Sequence, residues 1–333
     1  MKICIVGAGA IGGMIAARLA HVGHEVTVIV RGANLEAVRR NGGMKLIWED
    51  GTEILGPVRA TDSPAEAGIQ DCVILALKAH QLRPLLGQMP ALLAEHTSIV
   101  TMQNGIPFWY FQRHGGEYEG RTVESVDPGG ELVAALGAAR IIGSIVYPAS
   151  ELIAPGVVRH IEGNRFTLGE PDGSDSERIR AIAGAMRDAG FKAPISNDIR
   201  SEIWLKLWGN VIFNPVSALT HATLEDICRF PLTRDLAAKV MAEAQAIGEK
   251  LGVKFKVSID KRIAGAESIG AHKTSMLQDV EAGRALELDA LVGSVVEMGR
   301  ITGLPTPHID AVYACAKLLD KTLQDAKGRL QLG

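Results

Sequence analysis

The sequence predicts an α/β protein, with an N-terminal doubly wound, mainly parallel sheet followed by an all-helical second domain. Three observations predict it. A short apolar strand runs into Gly7-Ala8-Gly9-Ala10-Ile11-Gly12-Gly13 near the N-terminus. Up to about residue 195, β-branched runs alternate with helical stretches, the pattern of βαβ units. From about Asp198 onward the apolar period becomes that of long helices. The expected division is therefore 1–197 and 198–333.

In chain order, strands are read at Lys2–Val6, Glu25–Val30, Cys72–Leu77, Ser98–Met102 and Arg140–Val146. Helices are read at Ser201–Phe213, Leu232–Leu251, His272–Asp279, Leu286–Thr302 and Ile309–Leu330. The segment Arg113–Gly130 is polar and rich in Gly and Pro, and reads as a surface excursion of the first domain. No internal repeat is visible.

A length of 333 residues suits two domains at about 100–200 residues each. The net charge of −3 lacks the basic excess that nucleic acid or an anionic membrane selects, so neither is an expected partner. With 47% apolar residues and no periodic Gly or Pro, a disordered or collagenous chain is excluded. Cys4, Cys72, Cys228 and Cys315 form no CxxC pair, so neither a zinc site nor a disulfide framework is expected, and reduced thiols in a cytoplasmic protein are. The stretch from Lys2 to Arg18-Leu19-Ala20 imitates a signal peptide. Its four glycines weaken a continuous apolar helix, and a second strand at Glu25 follows, so a strand–turn–helix is the expected reading. No run of 18 apolar residues predicts a membrane span.

The N-terminal run is G-x-G-x-x-G between a strand and a helix. Gly7 permits the tight turn, Gly9 lets the backbone approach a pyrophosphate, and Gly12 allows close helix–strand packing; the helix start, with Ala8, Ala10 and Ile11, offers N–H groups to the anion. Dinucleotide binding is the expected role. At the end of the second strand, where an acidic residue would accept from a ribose 2′-hydroxyl, stands Arg31. A cation there matches a 2′-phosphate and favours NADP(H), against the alternative of a surface arginine. Asn34, Arg39 and Arg40 lie nearby and read equally as solvated. Lys78 and Asn104 end two later strands at the carboxyl edge of the sheet, where each reads either as a ligand contact or as a turn residue.

In Ile199–Pro215 the residues Lys206, Asn210 and Asn214 recur every four positions, forming one polar stripe on a helix among Trp204, Leu207, Trp208, Val211 and Ile212. If the stripe is buried, desolvation lowers the pKa of Lys206 and makes it a proton donor; the alternative is a solvated face, for which Asn is a poor choice. Ser275 suits a substrate-carboxylate contact or, with Thr274, a helix N-cap. Glu287 and Asp289 read alone as surface acids, and His272 has no partners for a metal site.

Together these segments resemble the ketopantoate reductase (2-dehydropantoate 2-reductase) family over nearly the whole chain: GAGAIGG with Arg31, LKAHQ, QNG, IRSEIWLKLWGNVIFNP, TSMLQD and ELD occur in order. The resemblance implies a Rossmann-type domain joined to a helical one, with the active site in the cleft between them, and NADPH-dependent reduction of 2-dehydropantoate to (R)-pantoate on the way to pantothenate and coenzyme A. It implies that Lys206 donates the proton, that Asn210 and Asn214 bind the substrate and that Ser275 holds its carboxylate. It also implies that Lys78, Asn104 and Glu287 lie around the nicotinamide and ribose, and that the backbone at Ala149 passes the cofactor. A small 2-oxo acid is then the expected partner, and a homodimer is compatible with the helical half. The chain departs from the family at Thr223-Leu224 and His272, where many members carry substrate asparagines, and at Tyr147-Pro148. These departures favour, as one alternative, a paralogue reducing another 2-oxo acid; the other alternative is a non-catalytic NADP(H)-binding sensor, against which the retention of Lys206, Asn210, Asn214, Ser275 and Glu287 argues.

Overall fold

The computed structural model describes residues 1–328, which form two compact units. The first comprises Met1–Gln103, Pro107–Thr122 and Gly129–Ile199; the second takes Asn104–Ile106, Val123–Pro128 and the chain from Arg200 onward. Where the sequence suggests a single cut at 197/198, two short segments of the N-terminal half thus belong to the helical unit.

In the first unit, β1 (Lys2–Val6) leads through the glycine turn to α1 (Ala10–His21), β2 (Glu25–Ile29) and α2 (Gly32–Asn41). Next come β3 (Met44–Ile47), β4 (Glu53–Gly56), β5 (Arg59–Thr61), α3 (Pro64–Ala67), β6 (Cys72–Leu75) and β7 (Ser98–Thr101). The unit is completed by α4 (Glu131–Leu136), β8 (Ile141–Val146), β9 (Ala149–Ala154), β10 (Val157–Glu162), β11 (Phe166–Gly169) and α5 (Glu177–Asp188). Seven strands form the main sheet in the order β11-β8-β7-β6-β1-β2-β5. All neighbours are parallel except β11, which runs antiparallel to β8 at one edge. The expected strands sit in this sheet, a residue or two shorter at their ends. Chain direction switches at β1, with β2 on one side and β6 on the other, and it is outside the carboxyl ends of strands at such a point that doubly wound sheets bind ligands.

A second, four-stranded sheet of order β4-β3-β10-β9 was not among the expected elements. Its outer pairs are hairpins, β3/β4 around Asp50-Gly51 and β9/β10 around Pro155-Gly156, joined by a parallel β3/β10 pairing. It covers the face of α1 turned away from the main sheet, so that Met14, Ala16 and Ala17 share one core with Met44, Leu46 and Val158. Burial on two sides explains why α1 is apolar almost all round.

The segment Arg113–Gly130 is not a mere surface excursion. Tyr118, Val123, Val126 and Asp127 are buried. The N–H groups of Glu124 and Ser125 donate to the Glu297 carboxylate at 2.7 and 2.8 Å. A polar composition concealed apolar anchors spaced along it.

The regular elements of the second unit's described residues are all helical: α6 (Ile199–Thr220), α7 (Leu224–Arg229), α8 (Pro231–Lys250), α9 (Ile259–Glu267), α10 (Ser275–Glu281), α11 (Ser294–Thr302) and α12 (Pro307–Asp325). The apolar faces of α6 and α8 close on each other, with the buried Trp208 indole N–H donating to the Met241 carbonyl at 2.8 Å. Thr223, Ser258 and Thr274 cap α7, α9 and α10 through their hydroxyls. Several expectations change here, the first being that α6 runs on to Thr220 where the sequence reads its end at Phe213. The helix read from His272 starts at Ser275, because Thr274 is its cap. The helix read over Leu286–Thr302 opens with a π-helical turn at Asp289–Gly293 before α11. The last helix ends at Asp325, and Leu330 lies outside the described residues. No described helix is long and apolar enough to cross a membrane.

Candidate functional site

Each unit carries part of the expected chemistry. In the first unit, a cavity of about 580 Å³ opens at the carboxyl ends of β1 and β2. Gly7, Ala8, Gly9 and Arg31 line it, as expected, with Leu77 and Gln81 beyond β6. Gly7 lies at φ +96° and donates to the Ile29 carbonyl at 3.1 Å, which sets the turn. A Cβ on Gly12 would stand 2.0 Å from the Gly7 carbonyl oxygen, so α1 meets β1 as closely as backbone allows. No side chain caps the start of α1, whose first-turn N–H groups are therefore suited to an anion.

Arg31 is exposed and precedes the first residue of α2. Of its neighbours, Asn34 accepts the Gly156 N–H at 3.0 Å through Oδ1, and Arg39 donates from Nε to the Ala60 carbonyl at 3.1 Å. Both are engaged within the fold, and Arg31 is the cation lining the cavity. Asp62, His80 and Gln88 also line it and were not singled out as site residues; His80 lies within the LKAHQ segment, in a 3-10 turn at Ala79–Gln81, and Gln88 in another at Arg83–Leu92. Ala10, Ile11 and Gly12 form the first turn of α1. Lys78 ends the β6 segment, its N–H donating to Gln81 Oε1 at 3.1 Å, and Ala149 opens β9; neither lines the cavity.

The second unit assembles the lysine site. Lys206, Asn210 and Asn214 lie on α6, where Lys206 and Asn210 are partly buried and Asn214 is buried. The stripe is thus no solvated helix face. Lys206 Nζ donates to Asn104 Oδ1 at 2.7 Å, a pair that sequence spacing did not suggest because 102 residues separate the two. Burial pushes the Lys206 pKa down to about 8, opposed by the negative charge of Glu287. Ser275 is exposed at the first turn of α10, and the cap itself is Thr274, whose Oγ1 accepts the Leu277 N–H at 3.2 Å. A lysine poised near neutrality beside an acceptor and a carboxylate can hold a proton and release it to an oxygen that gains charge.

Comparison with known proteins identifies the family. Residues 3–173 match the family described as ketopantoate reductase PanE/ApbA, and residues 198–320 match its C-terminal family. The chain belongs to the ketopantoate reductase family. It is 56% identical to a 2-dehydropantoate 2-reductase of Mesorhizobium japonicum, over 96% of this chain and 98% of that one. Among solved structures, a candidate ketopantoate reductase of Ralstonia solanacearum is 42% identical with a TM-score of 0.92, covering 96% of this chain and 98% of that one. A D-mandelate dehydrogenase bound to NADH and anilino(oxo)acetate shares the fold at 22% identity and a TM-score of 0.81, over 97% of this chain and 99% of that one. As a ketopantoate reductase family member the chain is an oxidoreductase of the 2-dehydropantoate 2-reductase type.

Family membership also gives meaning to the departures. Thr223 caps α7 in a reciprocal box with Asp226, and the Leu224 N–H donates to the His272 carbonyl at 3.0 Å. The two departures noted in the sequence are thus joined by a backbone hydrogen bond.

Proposed function

We propose that this family member reduces 2-dehydropantoate to (R)-pantoate with NADPH, a step toward pantothenate and coenzyme A, with Lys206 as proton donor. The observation that carries the reading is the 2.7 Å Lys206–Asn104 pair beside Glu287, in a chain 56% identical to a 2-dehydropantoate 2-reductase.

Gly7, Ala8, Gly9 and the first turn of α1 would hold the pyrophosphate, and Arg31 the 2′-phosphate; the cavity they line fits such a group. When bound, the nicotinamide supplies the hydride for the C2 carbonyl carbon. The ammonium of Lys206 polarises the carbonyl oxygen and gives it a proton as charge develops there. Asn104 orients that ammonium by accepting one of its three N–H bonds, and Glu287 favours its charged form. Asn210 and Asn214 offer amides to the substrate from the same helix face, and Ser275 offers a hydroxyl to its carboxylate.

The test is the initial rate of NADPH oxidation with 2-dehydropantoate, beside NADH and a panel of simple 2-oxo acids. Turnover confined to 2-dehydropantoate and NADPH supports the reading; a much higher kcat/KM with another acid replaces it. The second outcome has an observation in its favour, since the Thr223 side chain is engaged in capping α7. For the cofactor, Arg31→Ala is expected to weaken NADPH binding by about 10–100-fold while leaving NADH binding unchanged, as charge-assisted bonds of this kind contribute about 1.5–3 kcal/mol. Fluorescence titration of both dinucleotides reads this, and equal losses for both would remove Arg31 from phosphate recognition.

A further inference from the structure

Among its described residues the helical unit departs from α-helical winding in a π turn, and the lysine site is built against it. At Asp289–Gly293 the chain makes a π turn, in which the Ser294 N–H reaches the Asp289 carbonyl five residues back. Such turns persist only where surrounding contacts hold them, and they are common beside functional sites. Here several contacts do so, among them an ion pair of Lys317 with Asp289 at 3.1 Å. The Ala290 carbonyl accepts the Ile106 N–H at 2.9 Å and the buried Ser294 hydroxyl at 2.7 Å. Gly105, at φ +85°, lies so close that a Cβ would stand 2.0 Å from the Ala290 oxygen and 2.5 Å from its carbonyl carbon. From α12, the Tyr313 hydroxyl donates to Asp289 Oδ1 at 2.5 Å, and a Cβ on Gly293 would meet that same hydroxyl at 2.8 Å.

Two groups that act on Lys206, Asn104 and Glu287, are referenced to this turn. Glu287 lies two residues before it, its carbonyl accepting the Leu291 N–H at 3.1 Å. Asn104 adjoins Gly105, which is docked on it. We propose that the π turn is the positioning element of the proton donor: by seating Gly105 and Ile106 it holds the Asn104 carbonyl against the Lys206 ammonium, with Tyr313 keeping the turn wound. Gly105 and Tyr313 are then positioning residues for the reaction, on which this inference rests through the role of Lys206.

The geometry makes Gly105 irreplaceable. An alanine must retreat from two backbone atoms, and the adjoining Asn104 retreats with it, removing an acceptor that favours the charged lysine. Two readouts test this in the full-length protein. In Gly105→Ala, kcat is expected to fall at least tenfold, and the alkaline limb of its pH profile to move to lower pH. The Lys206 titration, followed by NMR of 13C-labelled lysine and assigned with Lys206→Met, is expected to shift the same way. Tyr313→Phe, which removes one hydroxyl and keeps the ring, guards against a variant that fails to fold, and is expected to give a smaller shift of the same sign.

A lower melting temperature or lower kcat with the titration unmoved in both folded variants overturns the proposal, because a merely structural role has that signature. The NMR titration reads the Lys206–Asn104 pair whether or not 2-dehydropantoate is turned over. Failure of the reductase reading, seen as an inactive wild type, is thus separable from failure of the positioning role.

Discussion

Replacing Lys206 by alanine is expected to lower kcat with 2-dehydropantoate by about 10²–10⁴-fold, the usual contribution of a positioned general acid. NADPH affinity should change little, since the cavity lined by Gly7, Gly9 and Arg31 is built by other residues. Steady-state kinetics and a separate dinucleotide titration check the two halves; an unchanged kcat removes Lys206 from the role. The wild-type enzyme should lose activity as pH rises through about 8, because the proton to be donated is then gone. Stability responds with the opposite sign. Unfolding returns Lys206 to its ordinary value of 10.5, so between about 8 and 10.5 the unfolded chain binds the extra proton and stability rises with pH. Below pH 8 the buried ammonium is a cost to the fold, which Lys206→Met would relieve.

Gly12→Val is expected to raise the NADPH dissociation constant by about 100-fold and to destabilise the protein by roughly 1–3 kcal/mol, the range for forced overpacking. The added Cβ would fall 2.0 Å from the Gly7 oxygen and 2.9 Å from the Ala76 Cβ. Backbone on one side leaves no rotamer to escape into, so the Gly7 turn must open and its anion-binding geometry is lost. Calorimetric titration and thermal denaturation measure the two effects. Wild-type affinity in this variant would show that the turn is not the pyrophosphate seat.

How much of this was readable beforehand follows from the range of each interaction. The main sheet was legible because parallel strands buried on both faces leave continuous apolar runs, as in Val26–Val30 and Cys72–Leu75. The small sheet left only a hairpin signal at Asp50-Gly51 and a turn signal at Pro155-Gly156, and its parallel β3/β10 pairing joins segments about a hundred residues apart. The Lys206, Asn210 and Asn214 stripe was legible from helical period alone. Its partner Asn104 was recognised as a polar residue at a strand end, but its contact with Lys206 is long-range and no local pattern encodes it. The π turn was read as ordinary helix, since Asp289–Gly293 keeps an apolar composition through the change in winding.

The exchange of short segments between the two units has a consequence for how the molecule is made. Asn104 leaves the ribosome 102 residues ahead of Lys206, an interval of about 5–20 s at ordinary synthesis rates. During that time the loop Asn104–Ile106 has no helical unit to join, because the chain from Arg200 onward has yet to appear. The first unit must therefore fold around a loop whose destination is not yet made. A fragment beginning at Asp198 would carry Lys206, Asn210, Asn214 and Glu287, yet lack the carbonyl to which that lysine donates.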